Sequence, residues 1–155
     1  MRQAQPAEKT TRAALEERFA QLFEAMADPA YLVETGSGRI LACNAAAVHQ
    51  TGFSRDELVG KHIAAEMVPP GDRPDNAAVT AQLAAGGSGR FVERKQRKDG
   101  TIYSEEVIVI PFGRESETLH ISINHDITDR VEKERALAES EARYRSIFES
   151  TTDAI

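Results

Sequence analysis

Arg97-Lys98-Asp99-Gly100-Thr101-Ile102-Tyr103-Ser104-Glu105-Glu106-Val107-Ile108-Val109-Ile110-Pro111-Phe112 decides how the rest of the chain is read. Asp99-Gly100 is the strongest short-range hairpin signal available, and it joins an expected strand Phe91–Lys98 to another at Thr101–Phe112. Along the second strand one alternating face carries Tyr103, Glu105, Val107 and Val109, and the other carries Ile102, Ser104, Glu106, Ile108 and Ile110. Beyond Glu106 both faces are apolar, which a sheet with one wet side does not tolerate, so each face needs a cover. Arg90–Lys98, by contrast, has only Phe91 and Val92 as apolar residues, a composition that suits an exposed edge strand protected by charge.

Outward from this hairpin, Thr118–His125 supplies a further strand, and Ala30–Thr35 with Arg39–Cys43, joined by Gly36-Ser37-Gly38, read as an earlier hairpin. Between the two β-rich parts the signals are helical. Asn44 is an N-cap candidate before an alanine run, and Ser54-Arg55-Asp56-Glu57 has the capping-box spacing. Pro69, Pro70, Gly71 and Pro74 cut this stretch into short helices, of which Asp75–Ala85 is the longest. Ahead of everything, Thr11–Ala27 places Leu15, Phe19, Leu22, Phe23 and Met26 on one helical face, and Asp28-Pro29 ends it. The middle helices are expected to cover one face of the sheet. The Phe19, Leu22, Phe23 stripe or a partner chain is expected to cover the other. After the last strand a charged helix starts near Asp126-Ile127-Thr128-Asp129 and runs to about Ser150. Its seam of Ile127, Leu137, Tyr144 and Phe148 is interrupted by Glu134 and Glu141, so any coiled coil there is weak and adjustable.

The chain has 155 residues, 41% of them apolar, which allows one compact domain and something extra. Its 25 acidic against 19 basic residues give a net charge of −6, which disfavours nucleic acid as a partner. One cysteine, Cys43, excludes an internal disulfide and points to a reducing, cytoplasmic setting. The longest apolar run, Val107–Phe112, is far below the roughly 20 residues that span a bilayer, and no signal peptide is expected. A repeat explains the surplus length: Arg18-Phe19-Ala20-Gln21-Leu22-Phe23-Glu24 recurs as Arg143-Tyr144-Arg145-Ser146-Ile147-Phe148-Glu149, with Asp28 falling on Asp153. The expected division is residues 1–10 disordered, 11–27 an N-terminal helix, 28–127 the domain, 128–150 an output helix and 151–155 the start of a second copy.

Asn44, Gly52-Phe53-Ser54-Arg55-Asp56-Glu57-Leu58-Val59-Gly60-Lys61, Arg97-Lys98-Asp99-Gly100-Thr101, Glu106–Pro111 and Asp126-Ile127-Thr128-Asp129-Arg130 occur in this order, and together they resemble the PAS (Per-Arnt-Sim) sensory domain family. The resemblance covers Phe19 to about Val131, and Arg143–Ile155 is similar to the opening of another PAS domain. It implies an α+β fold: a five-stranded antiparallel sheet of order 2-1-5-4-3 with short helices on one face, flanked by N- and C-terminal amphipathic helices. It also implies that Asp126, Ile127 and Thr128 form the signal relay into the output helix, and that Glu57 pairs with Lys98.

Cofactor signatures of the family are missing. No Gly-x-Asn-Cys-Arg segment is present, the helix at Asp75–Ala85 has no histidine, and the chain has no Trp, so neither haem nor a flavin adduct is expected. His120 and His125 fall on opposite faces of one strand and His49 and His62 on different short helices, so no metal site is expected. Gly86-Gly87-Ser88-Gly89-Arg90 fails the Gly-x-Ser-x-Gly pattern and precedes a strand, so no catalytic residues are assigned and the chain is not read as an enzyme. The expectation is a cytoplasmic PAS sensory and dimerisation module of a bacterial signalling protein, a sensor histidine kinase or a diguanylate cyclase. Its partners would be a second copy, through Leu15, Phe19, Leu22, Phe23, Ile108 and Ile110, and the downstream PAS and output domains. The alternative is a small-molecule receptor with an apolar ligand between Val79, Leu83, Phe91, Val107 and Val109.

Overall fold

The computed structural model describes residues 6–72, 77–113 and 118–154. Strands β1 (Ala30–Glu34), β2 (Ile40–Cys43), β3 (Gly89–Gln96), β4 (Ile102–Phe112) and β5 (Leu119–Asp126) form one antiparallel sheet, and their order is β2-β1-β5-β4-β3. Helices α2 (Ala45–Thr51), α3 (Arg55–Leu58), α4 (Ile63–Met67) and α5 (Ala77–Ala84) fill the connection from β2 to β3, while α1 (Pro6–Ala25) and α6 (Thr128–Asp153) flank the domain. This is the α+β architecture and strand order expected from the sequence.

Local chemistry accounts for the elements. Asn44 caps α2 by accepting from the Ala47 N–H at 3.0 Å; the same oxygen accepts from Ala30 N–H at 3.0 Å, and the amide donates to the Asp28 carbonyl at 2.9 Å. One buried side chain thus fastens α2 to the start of β1. Ser54 and Glu57 complete the capping box on α3. At the β3–β4 turn Gly100 has φ 88°, a conformation L side chains avoid, and Asp99 accepts from Thr101 N–H at 2.9 Å. The free edge of β2 is occupied by the α3–α4 linker: Gly60 N–H donates to Ile40 O at 2.8 Å and Ile40 N–H to Lys61 O at 2.9 Å.

Two apolar clusters lie on one face of the sheet. Tyr31, Val33, Ile40, Cys43, Ala47, Leu58 and Met67 pack under α2–α4, and Leu83, Val107, Val109 and Phe91 pack under α5. On the opposite face Leu41, Val92, Ile102, Ile110 and Phe112 are exposed. The N-terminal stripe does not cover them within one chain: Phe19 is 62% and Leu22 64% exposed. Near its C-terminal end α1 is held where Glu24 meets Arg55 at 2.7 Å and Arg55 also donates to the Cys43 carbonyl.

Two boundaries differ from expectation. α1 starts at Pro6, inside the segment read as disordered, because proline is well placed in a first helical turn where its missing N–H costs nothing. Residues 1–5 lie outside the described residues, as do Asp75 and Asn76 at the expected start of α5. α6 runs unbroken through Ser150 to Asp153, so residues 151–153 continue that helix.

Candidate functional site

Between α5, the β1–β2 turn and the helix-covered face of β3, β4 and β5 lies a cavity of ≈ 220 Å³. Leu83, Phe91, Val107 and Val109 form its apolar wall, so four of the five residues expected at a pocket line one space. The fifth, Val79, falls on α5, where its side chain lies outside those described. Thr35, Gly36, Ser37 and Gly38 form one end together with His62 and Ile63. His62 caps α4, its Nδ1 accepting from Ala65 N–H at 3.1 Å, which leaves the Nε2 edge turned toward Gly38. A Cβ at Gly38, which has φ 69°, would approach that edge to 3.0 Å.

The polar part of the lining is less expected. Glu93, His120 and Ser122 line the cavity as well, and a connected set of buried polar groups runs beneath it across three strands. Ser122 Oγ donates to Asn124 Oδ1 at 2.7 Å, Asn124 Nδ2 donates to Glu105 Oε1, and Lys95 Nζ lies 2.9 Å from the same oxygen and 3.3 Å from Glu93 Oε1. Lys95 is 1% and Glu105 0% exposed. Register explains the grouping: Glu93 sits directly opposite Glu105, and Lys95 opposite Tyr103. Like charges facing each other repel, and Lys95 between them offsets this. Burial would depress the Lys95 ammonium, but Glu105 and then Glu93 overcome it and hold its pKa above the ordinary value. Burial raises the Glu93 carboxyl against the pull of Lys95, with Glu105 adding to the rise. Burial likewise lowers His120, whose Nδ1 is 3.1 Å from Thr35 Oγ1.

This overturns one expectation. Lys95 is not a solvated edge charge, because alternation along β3 puts Phe91, Glu93 and Lys95 on the covered face and leaves Arg90, Val92 and Arg94 outside. The signal was present: Glu105 already stood on the Tyr103, Val107 face, and the Asp99-Gly100 turn sets its partner across the hairpin.

At the other end of the site the sheet passes into α6. Asp126 Oδ1 accepts from Thr128 N–H at 2.9 Å and from Thr128 Oγ1 at 2.6 Å, while Oδ2 meets Arg97 at 3.2 Å. The Thr128 hydroxyl in turn accepts from Ser104 N–H at 3.0 Å, and Ile127 N–H donates to Ser104 O at 2.9 Å. Asp126 therefore satisfies a first-turn donor, and Ile127 and Thr128 bolt the helix start to β4. Arg97 also donates to the Gln50 carbonyl at 2.8 Å and lies 4.2 Å over the Tyr103 ring. Lys98 Nζ lies 2.7 and 2.9 Å from the two Glu57 oxygens, and this contact with the Ser54 N–H lowers the Glu57 pKa to about 2. Of the remaining residues of interest, Leu15 is exposed on α1 and Phe23 half-buried, while Ile108 is half-buried and Ile110 exposed on the open sheet face. Cys43 is a buried free thiol. Among the described residues no three His, Cys, Asp or Glu side chains group as metal ligands, and no helix is long and apolar enough to cross a membrane.

The sequence pattern of the PAS fold family matches residues 17–127. The chain belongs to the PAS fold family. No curated protein matches it in sequence. Among solved structures, this PAS domain resembles the PAS domain of an HTR-like protein from Haloarcula marismortui, with TM-score 0.67 and 23% identity over 79% of this chain and 100% of that one. It also resembles a domain of a sensory box sensor histidine kinase/response regulator from Geobacter sulfurreducens, with TM-score 0.59 and 19% identity over 72% and 94% of the two chains. An RNA-binding Light-Oxygen-Voltage receptor gives TM-score 0.69 and 21% identity over 84% of this chain and 38% of that one. At these identities the likeness establishes the fold.

Proposed function

We propose that this PAS domain is the sensory and dimerisation module of a bacterial signal-transduction protein, a sensor histidine kinase or a diguanylate cyclase, working in the cytoplasm and carrying no catalysis of its own. The observation that carries the reading is the junction at Asp126-Ile127-Thr128. Bonds from Arg97 and Ser104 tie the start of α6 to the β3–β4 turn and to β4, so a change of sheet geometry alters the direction of a rigid helix. A homodimer is supported by two unpartnered apolar surfaces: α1 with Leu15, Phe19 and Leu22, and the sheet face with Ile110 and Phe112. The exposed Leu137, Tyr144 and Phe148 continue the same demand along α6. The reading of Arg143–Ile155 as the opening of a second PAS domain, with an output domain beyond it, rests on the recurrence of Arg18–Asp28 there.

Sedimentation tests the dimer, with a monomer at high concentration refuting it. Fusion of residues 1–153 to a histidine-kinase catalytic core tests the relay. Autophosphorylation should change on Asp126→Ala, and identical rates with and without that substitution count against it. A second reading, a small-molecule receptor, is supported by the cavity between Leu83, Phe91, Val107 and Val109.

A further inference from the structure

Among the described residues Glu93 is the one carboxylate lining the cavity, its side chain only 9% exposed, and it stands at the end of a buried set whose charges do not cancel. Glu93, Glu105 and Lys95 sum to −1 when all are ionised, and Lys95 sits nearer Glu105, at 2.9 Å, than Glu93, at 3.3 Å. Next to them on the same face, Arg97 and Asp126 form a matched pair at 3.2 Å. Ser122, the other end of the polar chain, turns its hydrogen to Asn124 and keeps its oxygen as an acceptor. The cavity thus combines an apolar wall with a buried acceptor of surplus negative charge.

We propose that the cavity takes a small organic cation, an aryl- or alkylammonium compound, with its apolar part against Leu83, Phe91, Val107 and Val109 and its ammonium on Glu93. This rests on the receptor reading above and assigns its ligand class. Size follows from the volume. A cavity of about 150 Å³ holds a benzene ring, so ≈ 220 Å³ admits a ring with a short side chain. Charge follows from desolvation: a buried carboxylate is costly unless paired, and an ammonium supplies both the countercharge and several donors. An anionic ligand would set a second negative charge beside the Glu93 carboxylate and is the least favoured class. Occupancy would also be felt at the output junction. A cation on Glu93 frees Lys95 for Glu105 alone, and Glu105 is hydrogen-bonded to Asn124, two residues before Asp126 on β5.

The test compares four probes of one skeleton on the whole chain by calorimetry and NMR: phenethylammonium, 2-phenylethanol, phenylacetate and ethylbenzene. Phenethylammonium should bind at least tenfold more tightly than 2-phenylethanol, and phenylacetate most weakly. Glu93→Gln should remove the preference for the amine while leaving 2-phenylethanol binding in place. In the unsubstituted chain, intermolecular NOEs should run from the ring to the Leu83, Val107 and Val109 methyls and from the aminomethylene protons to Glu93, a readout that does not depend on how the variant folds. Equal binding of amine and alcohol, or a preference that survives Glu93→Gln, overturns the cation assignment and leaves the receptor reading standing. Failure of all four probes to bind overturns both.

Discussion

Replacing Lys95 by methionine is the sharpest test of the buried charge set. The substitution preserves most of the side-chain volume but leaves Glu93 and Glu105 directly opposite each other with no cation, one of them fully buried. Removing one partner of a buried ion pair typically costs about 3–5 kcal/mol, because the survivor keeps its desolvation penalty without its attraction. For a domain of this size that corresponds to a melting temperature about 10–20 °C lower. Glu93→Gln should behave oppositely. It leaves one cation and one anion at 2.9 Å, removes the excess charge, and should change stability by less than about 1 kcal/mol in either direction. The pH dependence has a fixed sign. In Lys95→Met the Glu93 carboxyl, already raised by burial, loses the cation that opposes the rise, so the variant is least handicapped below the unfolded value near 4.5 and loses stability as pH rises through the folded pKa of Glu93. Urea unfolding followed by circular dichroism at pH 4.5 and 7.5, on the single variants and on the triple variant with Glu93→Gln and Glu105→Gln, measures all of this. A loss below about 1 kcal/mol in Lys95→Met, or equal losses in Lys95→Met and Glu93→Gln, would refute the argument.

Three other outcomes follow from the same structure. Asn44→Ala removes an N-cap and two further buried hydrogen bonds and should lower stability by about 2–4 kcal/mol in urea titrations, whereas a surface change such as Asp56→Ala should leave it unchanged within about 0.5 kcal/mol. Thr128→Val keeps the shape of the residue but breaks its bonds to Ser104 and Asp126. Amide exchange at Ile127 and Val131 should speed up while β1–β5 exchange stays the same, and unchanged exchange at both amides would show that the hydroxyl does not hold the helix start. His120 is held neutral by burial, so its unfolded form takes up a proton first: stability is full above pH 6.5 and falls as pH drops below it. His120→Gln should flatten the unfolding free energy measured between pH 7.5 and 5.5.

The fold was legible because its signals are local. Asp99-Gly100, the Ser54–Glu57 box, Asn44 and the doubly apolar run Val107–Ile110 each act over a few residues, and each formed the element it implied. Strand order rested on the motifs taken together, since no local pattern says which strands become neighbours. The apolar wall of the cavity was legible in its strand part, because Phe91, Val107 and Val109 follow from alternation, with Leu83 added from the helix facing them. Its polar part was not, because composition describes Arg90–Lys98 as charged without saying which charges face inward. Only the pairing of Glu93 with Glu105 and of Asn124 with Val107 brings Lys95, Glu105 and Asn124 together, and pairing is a tertiary fact. Within one chain α1 does not cover the open sheet face, for a related reason: amphipathicity shows that a helix wants a partner, and not where that partner is.

The buried charges also bear on what kind of sensor this PAS domain is. An apolar set at Glu93, Lys95 and Glu105 would fold at least as well, since ion pairs of this kind are commonly neutral or costly against well-packed hydrophobic residues. Stability therefore does not account for them. What the charged set does that an apolar one cannot is respond to a single added charge. Lys95 is shared between two carboxylates on adjacent strands, and a change at Glu93 shifts its share toward Glu105. Glu105 in turn holds Asn124, whose backbone N–H donates to the Pro29 carbonyl at 2.9 Å and whose strand carries Asp126 at its end. An apolar core offers no such sequence of discrete bonds between the cavity and the helix start. On the proposal made above, the charge imbalance in the core and the bolted junction at Thr128 are two ends of one device. A variant neutral throughout, Glu93→Gln with Lys95→Met and Glu105→Gln, should keep the fold and lose the response of α6 to an occupant of the cavity.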